Sequence, residues 1–109
     1  MAKLIERGAD VNAVNKDGYT SLHIAAAAGD VDIVKYVIKA GIDKDKKNKD
    51  MMTAIMLAAK NNHQDIVKIL VDSKAKLNSQ DKDGYTPLHY AAQMVIKMLQ
   101  RFSLVLRQT

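Results

Sequence analysis

The chain has 109 residues, of which 48% are hydrophobic, and it carries a formal net charge of +5. It contains no cysteine, which excludes disulfides, thiolate metal sites and a cysteine nucleophile. It also lacks an apolar run long enough for a membrane span and the apolar core of a signal peptide. A chain of this length is expected to form one domain. We expect it to be intracellular, in the cytoplasm, and host-directed secretion by another route stays an alternative. The mild positive charge favours acidic partners without identifying nucleic acid.

An internal repeat is the strongest pattern. Asp17, Asp50 and Asp83 are each 33 residues apart, and similar sequence follows each of them. A fixed period of this size is typical of a solenoid of stacked units. The period divides the chain into a half unit at 1–16, full units at 17–49 and 50–82, and an atypical last unit at 83–109.

Each unit predicts two short helices. A threonine that can cap the first helix with its hydroxyl occurs once per unit, as Thr20, Thr53 and Thr86. Alanine pairs inside these helices predict thin faces, so that neighbouring units can approach closely. The second helices carry apolar residues at spacings of one, three and four, which place them on one face. Gly18 and Gly84 are predicted to lie in a tight turn before a first helix. Gly8 and Gly41 are predicted to end a second helix.

The sequences DGYTPLHYAA, IVKILV and GADVNA are together similar to the ankyrin repeat family. The resemblance covers about residues 4–93. It implies an all-α solenoid of helix–turn–helix units joined by short, hairpin-like loops called fingers. It further implies a non-catalytic module that binds another protein on a concave face, made by the finger tips and the first helices.

The second unit departs from this pattern. Met51, Met56 and Lys74 occupy the positions that Gly18, His23 and Gly41 have in the first unit. Because a residue other than glycine resists positive φ, we expect a looser finger turn and a looser helix end there.

The last unit departs further. Residues 95–99, VIKML, resemble the second-helix sequence IVKYV at 33–37 but come four residues early. The loop between the two helices is therefore missing, and we predict one long helix from residue 87 to about 105, with two short helices as the alternative. One face of this segment carries six apolar residues, Val95, Met98, Leu99, Phe102, Val105 and Leu106. We expect that face to cover the open end of the stack, with a membrane surface or a partner groove as the alternatives.

Catalytic and metal sites are not predicted. His23 and His89 recur with the unit and are interpreted as structural, bonded to the backbone or to a nearby threonine. His63 is expected in a solvated loop. The histidines lack the spacing of metal ligands and the acidic residues are scattered, so we predict no enzyme and no cofactor. The basic run at 44–49 is interpreted as a solvated loop, or alternatively as a contact for an acidic partner.

The candidate partner-binding surface follows from the resemblance. It consists of finger residues and exposed positions on the first helices: Lys16, Asp17, Tyr19, Ala27, Ala28, Lys49, Asp50, Met52, Lys60, Asn61, Lys82, Asp83, Tyr85 and Gln93. The predicted partner is another protein, with no small-molecule substrate and with nucleic acid disfavoured. The alternative is a rearranged repeat fragment that mainly folds and self-associates.

Overall fold

The structure, a computed structural model, describes residues 11–108, with side chains for residues 11–101 and Ser103. This part of the chain contains helices and no strand. The helices are α1 (Ser21–Ala28), α2 (Val31–Lys39), α3 (Ala54–Lys60), α4 (Gln64–Asp72) and α5 (Pro87–Gln108). The predicted all-α architecture is confirmed. The predictions for residues 4, 5 and 8 lie outside the described residues.

Helix α1 begins with a capping box. The Thr20 hydroxyl accepts a hydrogen bond from the backbone N–H of His23 at 3.3 Å, and the His23 ring accepts one from the backbone N–H of Thr20 at 3.0 Å. Two backbone donors at the helix start are thereby satisfied. The helix ends at Gly29, whose φ of 83° is readily adopted only without a side chain.

Small side chains bring the two helical pairs together. Ala25 and Ala26 of α1 and Ala58 of α3 are at most 3% exposed and belong to one core cluster. The second helices add larger side chains to the same cluster, including Val34 of α2 and Leu70 of α4. Close packing of this kind is what the alanine pairs predict.

Three fingers precede the helices, and we define them as residues 15–19, 48–52 and 81–85. In each finger the backbone N–H of the first residue donates to the carbonyl of the fifth, at 3.0, 3.0 and 2.9 Å. Adjacent fingers are joined by backbone bonds as well. The Lys49 N–H donates to the Asp17 carbonyl and the Lys82 N–H donates to the Asp50 carbonyl, both at 3.1 Å. Equivalent bonds therefore recur 33 residues apart.

The finger turn and helix end of the second pair keep the shape of the first. Met51 and Lys74 have φ values of 63° and 70°, close to the 77° of Gly18 and comparable to the 91° of Gly41. The expectation of a looser backbone is therefore wrong. The neighbouring hydrogen bonds hold these residues in the left-handed region, at a conformational cost of roughly 1 kcal/mol each.

Helix α5 is a single helix of 22 residues, which confirms the predicted long helix. On the face that was expected to cover the open end of the stack, Val95 is 48% exposed and Met98 is 40% exposed, so for the described side chains that expectation is wrong. Leu88 near its start is 73% exposed and Leu99 is 62% exposed. The reason is geometric: without an inter-helix loop the chain cannot turn back over α3 and α4. Phe102, Val105 and Leu106 lie outside the described side chains.

None of the helices within residues 11–108 is long and apolar enough to cross a membrane.

Candidate functional site

The structure gathers several predicted partner-binding residues at the first two fingers. Asp17, Tyr19, Lys49 and Asp50, together with Asn15, line a shallow depression of about 400 Å³. We call it the finger pocket. The backbone bond from the Lys49 N–H to the Asp17 carbonyl joins the two fingers that form the pocket.

A second group of predicted residues lines a cleft between α3 and α5. Lys60 and Asn61 lie on one side and Gln93 on the other, and the cleft has a volume of about 340 Å³. We call it the helix cleft. Its remaining lining residues, which the sequence did not indicate, are Ala59, Asn62, Tyr90, Met94, Lys97, Met98 and Arg101.

Tyr90 connects the helix cleft to the third finger. Its ring lines the cleft, its hydroxyl donates to the Asp81 carboxylate, and its ring packs edge-on against Tyr85. Burial, together with the hydrogen bond to Asp81, raises the pKa of Tyr90. Burial alone would raise the pKa of Asp81, but hydrogen bonds from Tyr90 and from two backbone N–H groups hold that pKa below its usual value. The pair is therefore a neutral phenol bonded to a carboxylate.

The other predicted residues are distributed around these two sites. Lys16, Ala28, Lys82 and Asp83 are exposed, and Ala27 is partly buried. Lys82 forms an ion pair with Asp50 at 3.2 Å. Tyr85 is 43% exposed and contacts His89 through its ring.

Met52 was expected at an exposed finger tip, and this expectation is wrong. The side chain is 7% exposed and packs in a cluster with Met56, Leu57 and Tyr90. Met56, which occupies the position of His23 in the first unit, is fully buried in the same cluster. Met52 is therefore part of the core and has little side-chain surface to offer a partner.

The histidines at the helix starts are structural, as predicted. The buried ring of His23 accepts from Thr20 through Nδ1 and donates through Nε2 to the Met52 carbonyl at 3.1 Å. Burial lowers the pKa of His23, which keeps the ring neutral. His89 makes the equivalent bonds to Thr86.

His63 is not solvated, contrary to expectation. Its ring donates to the Ala27 carbonyl at 3.0 Å, and it lies so close to Gly29 that a Cβ there would be 2.8 Å from it. His63 therefore bridges the loops that end α1 and begin α4. Gly29 is needed for this contact as well as for its positive φ.

The basic run at 44–49 is only partly solvated. Lys46 and Lys49 are exposed, but Lys47 donates from its ammonium to the Gln80 carbonyl at 3.0 Å, and Asn48 is buried. The run therefore forms part of the finger structure.

Comparison with known protein families agrees with this architecture. A family model described as ankyrin repeats (3 copies) matches residues 40–103, and one described as ankyrin repeats (many copies) matches residues 1–38. The chain belongs to the ankyrin repeat family.

Curated relatives match over one repeat length. The Notch-regulated ankyrin repeat-containing proteins of Homo sapiens and Xenopus tropicalis are each 51% identical over 35 residues, which is 32% of this chain and 31% of theirs. The corresponding protein B of Danio rerio is 51% identical over 35 residues, 32% of each chain. The match thus spans about a third of each relative.

Sequence reasoning missed the residues that brace the ankyrin fingers. The side-chain oxygens of Asn15, Asn48 and Asp81 each accept two backbone N–H groups, at 2.9–3.0 Å. Short side chains of this type stabilise tight turns in this way. The sequence pattern that could have indicated these residues is an Asn or Asp two positions before each of Asp17, Asp50 and Asp83.

No group of three or more His, Cys, Asp or Glu side chains in residues 11–108 lies close enough together to hold a metal ion.

Proposed function

We propose that this ankyrin repeat chain is a non-catalytic protein-binding module, and that its partner docks across the finger pocket and the helix cleft. The same proposal divides the chain into repeats at 17–49, 50–82 and 83–109, with 1–16 as the back part of another repeat. The recurrence of equivalent finger bonds 33 residues apart supports this division.

The observation that supports the proposal is that the groups that hold the fold together are mostly different from the side chains that are predicted to bind a partner. Backbone bonds and the side chains of Asn15, Asn48 and Asp81 hold the fingers, and buried alanines hold the helices. Most of the polar and aromatic side chains predicted to bind are exposed or half-buried and are not needed for the backbone bonds. A rigid frame with free side chains suits recognition, since little order has to be gained on binding.

Site-specific crosslinking tests this surface. A photoreactive amino acid is placed in turn at Tyr19, Tyr85 and Gln93, and at the exposed Lys68 on α4 as a control. Crosslinked proteins are then identified by mass spectrometry from cells that express the chain. We expect the same partner from the three surface positions and none from Lys68. Crosslinking from Lys68 alone would place the interface elsewhere and contradict the proposal.

A second candidate function is self-association, and one observation favours it. Leu88 is 73% exposed, whereas Leu22 and Ile55 at the equivalent positions of α1 and α3 are at most 3% exposed. Leu88 lines an apolar groove with Val67, Val71 and other residues of the second pair and its following loop. A second copy of the chain could cover this groove with the exposed face of its own α5. Burying large apolar side chains contributes roughly 1.5–3 kcal/mol each, which favours association.

Sedimentation velocity over a concentration series tests this candidate. A dimer that Leu88→Asp abolishes would support it, with Lys68→Asp as a control on an exposed helix position. A strict monomer at all concentrations would exclude it and leave the first candidate.

A further inference from the structure

We infer that the helix cleft binds an acidic, amphipathic segment of the partner protein. This inference rests on the proposed function and adds the chemistry of the partner, which the family resemblance does not supply.

The described lining of the helix cleft is positively charged. Three cations line the cleft, Lys60 from the end of α3 and Lys97 and Arg101 from the middle of α5, and its described lining contains no Asp or Glu. All three side chains are exposed, and in the described part of the chain none forms an ion pair with a carboxylate. Three like charges around one concavity attract an anionic group and disfavour a cationic one.

The helix cleft is also lined by apolar side chains. Met94 is partly buried, Met98 is 40% exposed, and the ring of Tyr90 lies between α5 and the second pair. Methionine side chains adapt to apolar groups of different shapes. A ligand that places carboxylates at the rim and apolar side chains on the floor therefore satisfies both parts of the cleft.

Amide side chains add a third element. Asn61, which follows the last residue of α3, and Gln93 of α5 both line the cleft, and Asn61 already donates to the Ala27 carbonyl at 3.3 Å. Amides at these positions can bond to the backbone of an extended peptide, which has a donor and an acceptor at every residue other than proline.

The same features disfavour nucleic acid as the ligand. Single strands are held by aromatic rings on which bases stack. Tyr90 is the only aromatic residue in the described lining, its side chain is 9% exposed, and its hydroxyl is bonded to Asp81. The cleft therefore has cations but no stacking platform.

Fluorescence polarisation with a short labelled peptide of Glu and Leu tests the inference on the full chain. We expect saturable binding that weakens as salt is added, because exposed ion pairs are screened. The triple variant Lys60→Ala, Lys97→Ala, Arg101→Ala should bind roughly tenfold more weakly, since an exposed ion pair contributes about 0.5 kcal/mol. A peptide with Gln in place of Glu should bind as weakly to the wild type.

A control variant removes the same charge elsewhere. Lys35, Lys39 and Lys68 are exposed on α2 and α4 and do not line the cleft. Replacing these three by alanine should leave peptide affinity within about twofold of the wild type. An equal loss in both triple variants would show attraction to net charge alone and overturn the inference. Circular dichroism confirms that both variants are folded.

Two further outcomes separate this inference from the proposed function. Binding of oligothymidylate more tightly than the peptide, with the same loss in the cleft variant, would overturn the inference in favour of nucleic acid. If the peptide fails to bind while crosslinking from Tyr19 still captures a partner, the inference is wrong and the proposed function stands. If crosslinking captures nothing from the surface positions, the proposed function itself fails.

Discussion

The first and last repeats contain the same four-residue sequence, DGYT, followed one residue later by a Leu-His pair, yet they differ in burial. Leu22 is 1% exposed and Leu88 is 73% exposed. His23 is buried and reaches the next finger, whereas His89 is exposed and, within the described residues, bonds only to Thr86. The motif therefore sets the local capping geometry, and the neighbouring elements decide how much that geometry contributes to stability.

The missing element is the second helix of the last repeat. In the first repeat α2 places Val34 and Val37 over α1, and both are at most 1% exposed. In the last repeat the equivalent sequence, residues 95–99, continues α5 without a break. The same loss of a turn exposes Leu88 and extends α5 so that it forms one wall of the helix cleft.

The largest expected difference in stability is between alanine variants of Leu22 and Leu88. Leu22→Ala should lower the free energy of unfolding by about 3 kcal/mol, because it leaves a cavity in a core that cannot fully collapse. Leu88→Ala should change it by less than about 0.5 kcal/mol, since the side chain is already in solvent. Urea titration followed by circular dichroism measures both. Similar losses for the two variants would mean that Leu88 is covered in solution.

The next largest difference in stability is expected between valine variants of Thr20 and Thr53, the threonines before the first helices of the first two repeats. Thr20→Val should cost about 1–2 kcal/mol, because Thr20 caps α1 and bonds to His23. The Thr53 hydroxyl is buried and has no hydrogen-bond partner within residues 11–108, where Met56 replaces the histidine. Thr53→Val should therefore be neutral or slightly stabilising. The same urea titration distinguishes them, and a large loss in Thr53→Val would contradict the absence of a bond.

The pH dependence of stability should reflect His23. Burial lowers the pKa of His23 in the folded state below its ordinary value of 6.5, so the unfolded chain takes up the proton first. Its contribution is present above that value and is lost as the pH falls through the folded-state pKa, with a slope of at most about 1.4 kcal/mol per pH unit. Unfolding free energies measured between about pH 7.5 and pH 5, above the carboxylate range, test this sign. His23→Gln should flatten the slope.

The smallest expected effect concerns the finger turns. Met51 is 44% exposed and has a φ of 63°, so Met51→Gly removes strain and little burial. We expect a gain of about 0.5 kcal/mol. Gly18→Ala provides the opposite change, because a Cβ would lie 3.1 Å from the Asn48 backbone at a φ of 77°. It should cost more than about 1 kcal/mol. Thermal unfolding measures both, and a loss in Met51→Gly would contradict the strain.

Much of the fold could be predicted from the sequence because it depends on local patterns that repeat. The caps, the alanine pairs and the long α5 follow from period, spacing and a deletion of four residues. Met52, His63 and the uncovered Leu88 could not be placed in this way. The surroundings of Met52 and His63 are set by groups from other repeats, the Tyr90 side chain for Met52 and the Ala27 carbonyl for His63.

The candidate site was only partly predictable for the same reason. The resemblance supplied Lys60, Asn61 and Gln93, which occupy positions shared by first helices. Lys97 and Arg101 belong to the part of α5 where the chain departs from the family pattern, so no repeat position indicated them.

The continuity of α5 determines both the helix cleft and the open face at Leu88, and a distance measurement tests it most directly. The chain has no cysteine, so Leu88→Cys and Ser103→Cys provide unique sites for two spin labels. A straight helix separates these positions by about 22 Å along its axis, at 1.5 Å per residue. We expect double electron–electron resonance to give one narrow distribution near that distance, broadened by the label linkers. A separation of about 10 Å, the spacing of two packed helices, would mean that the chain turns back after residue 93 and would contradict the account.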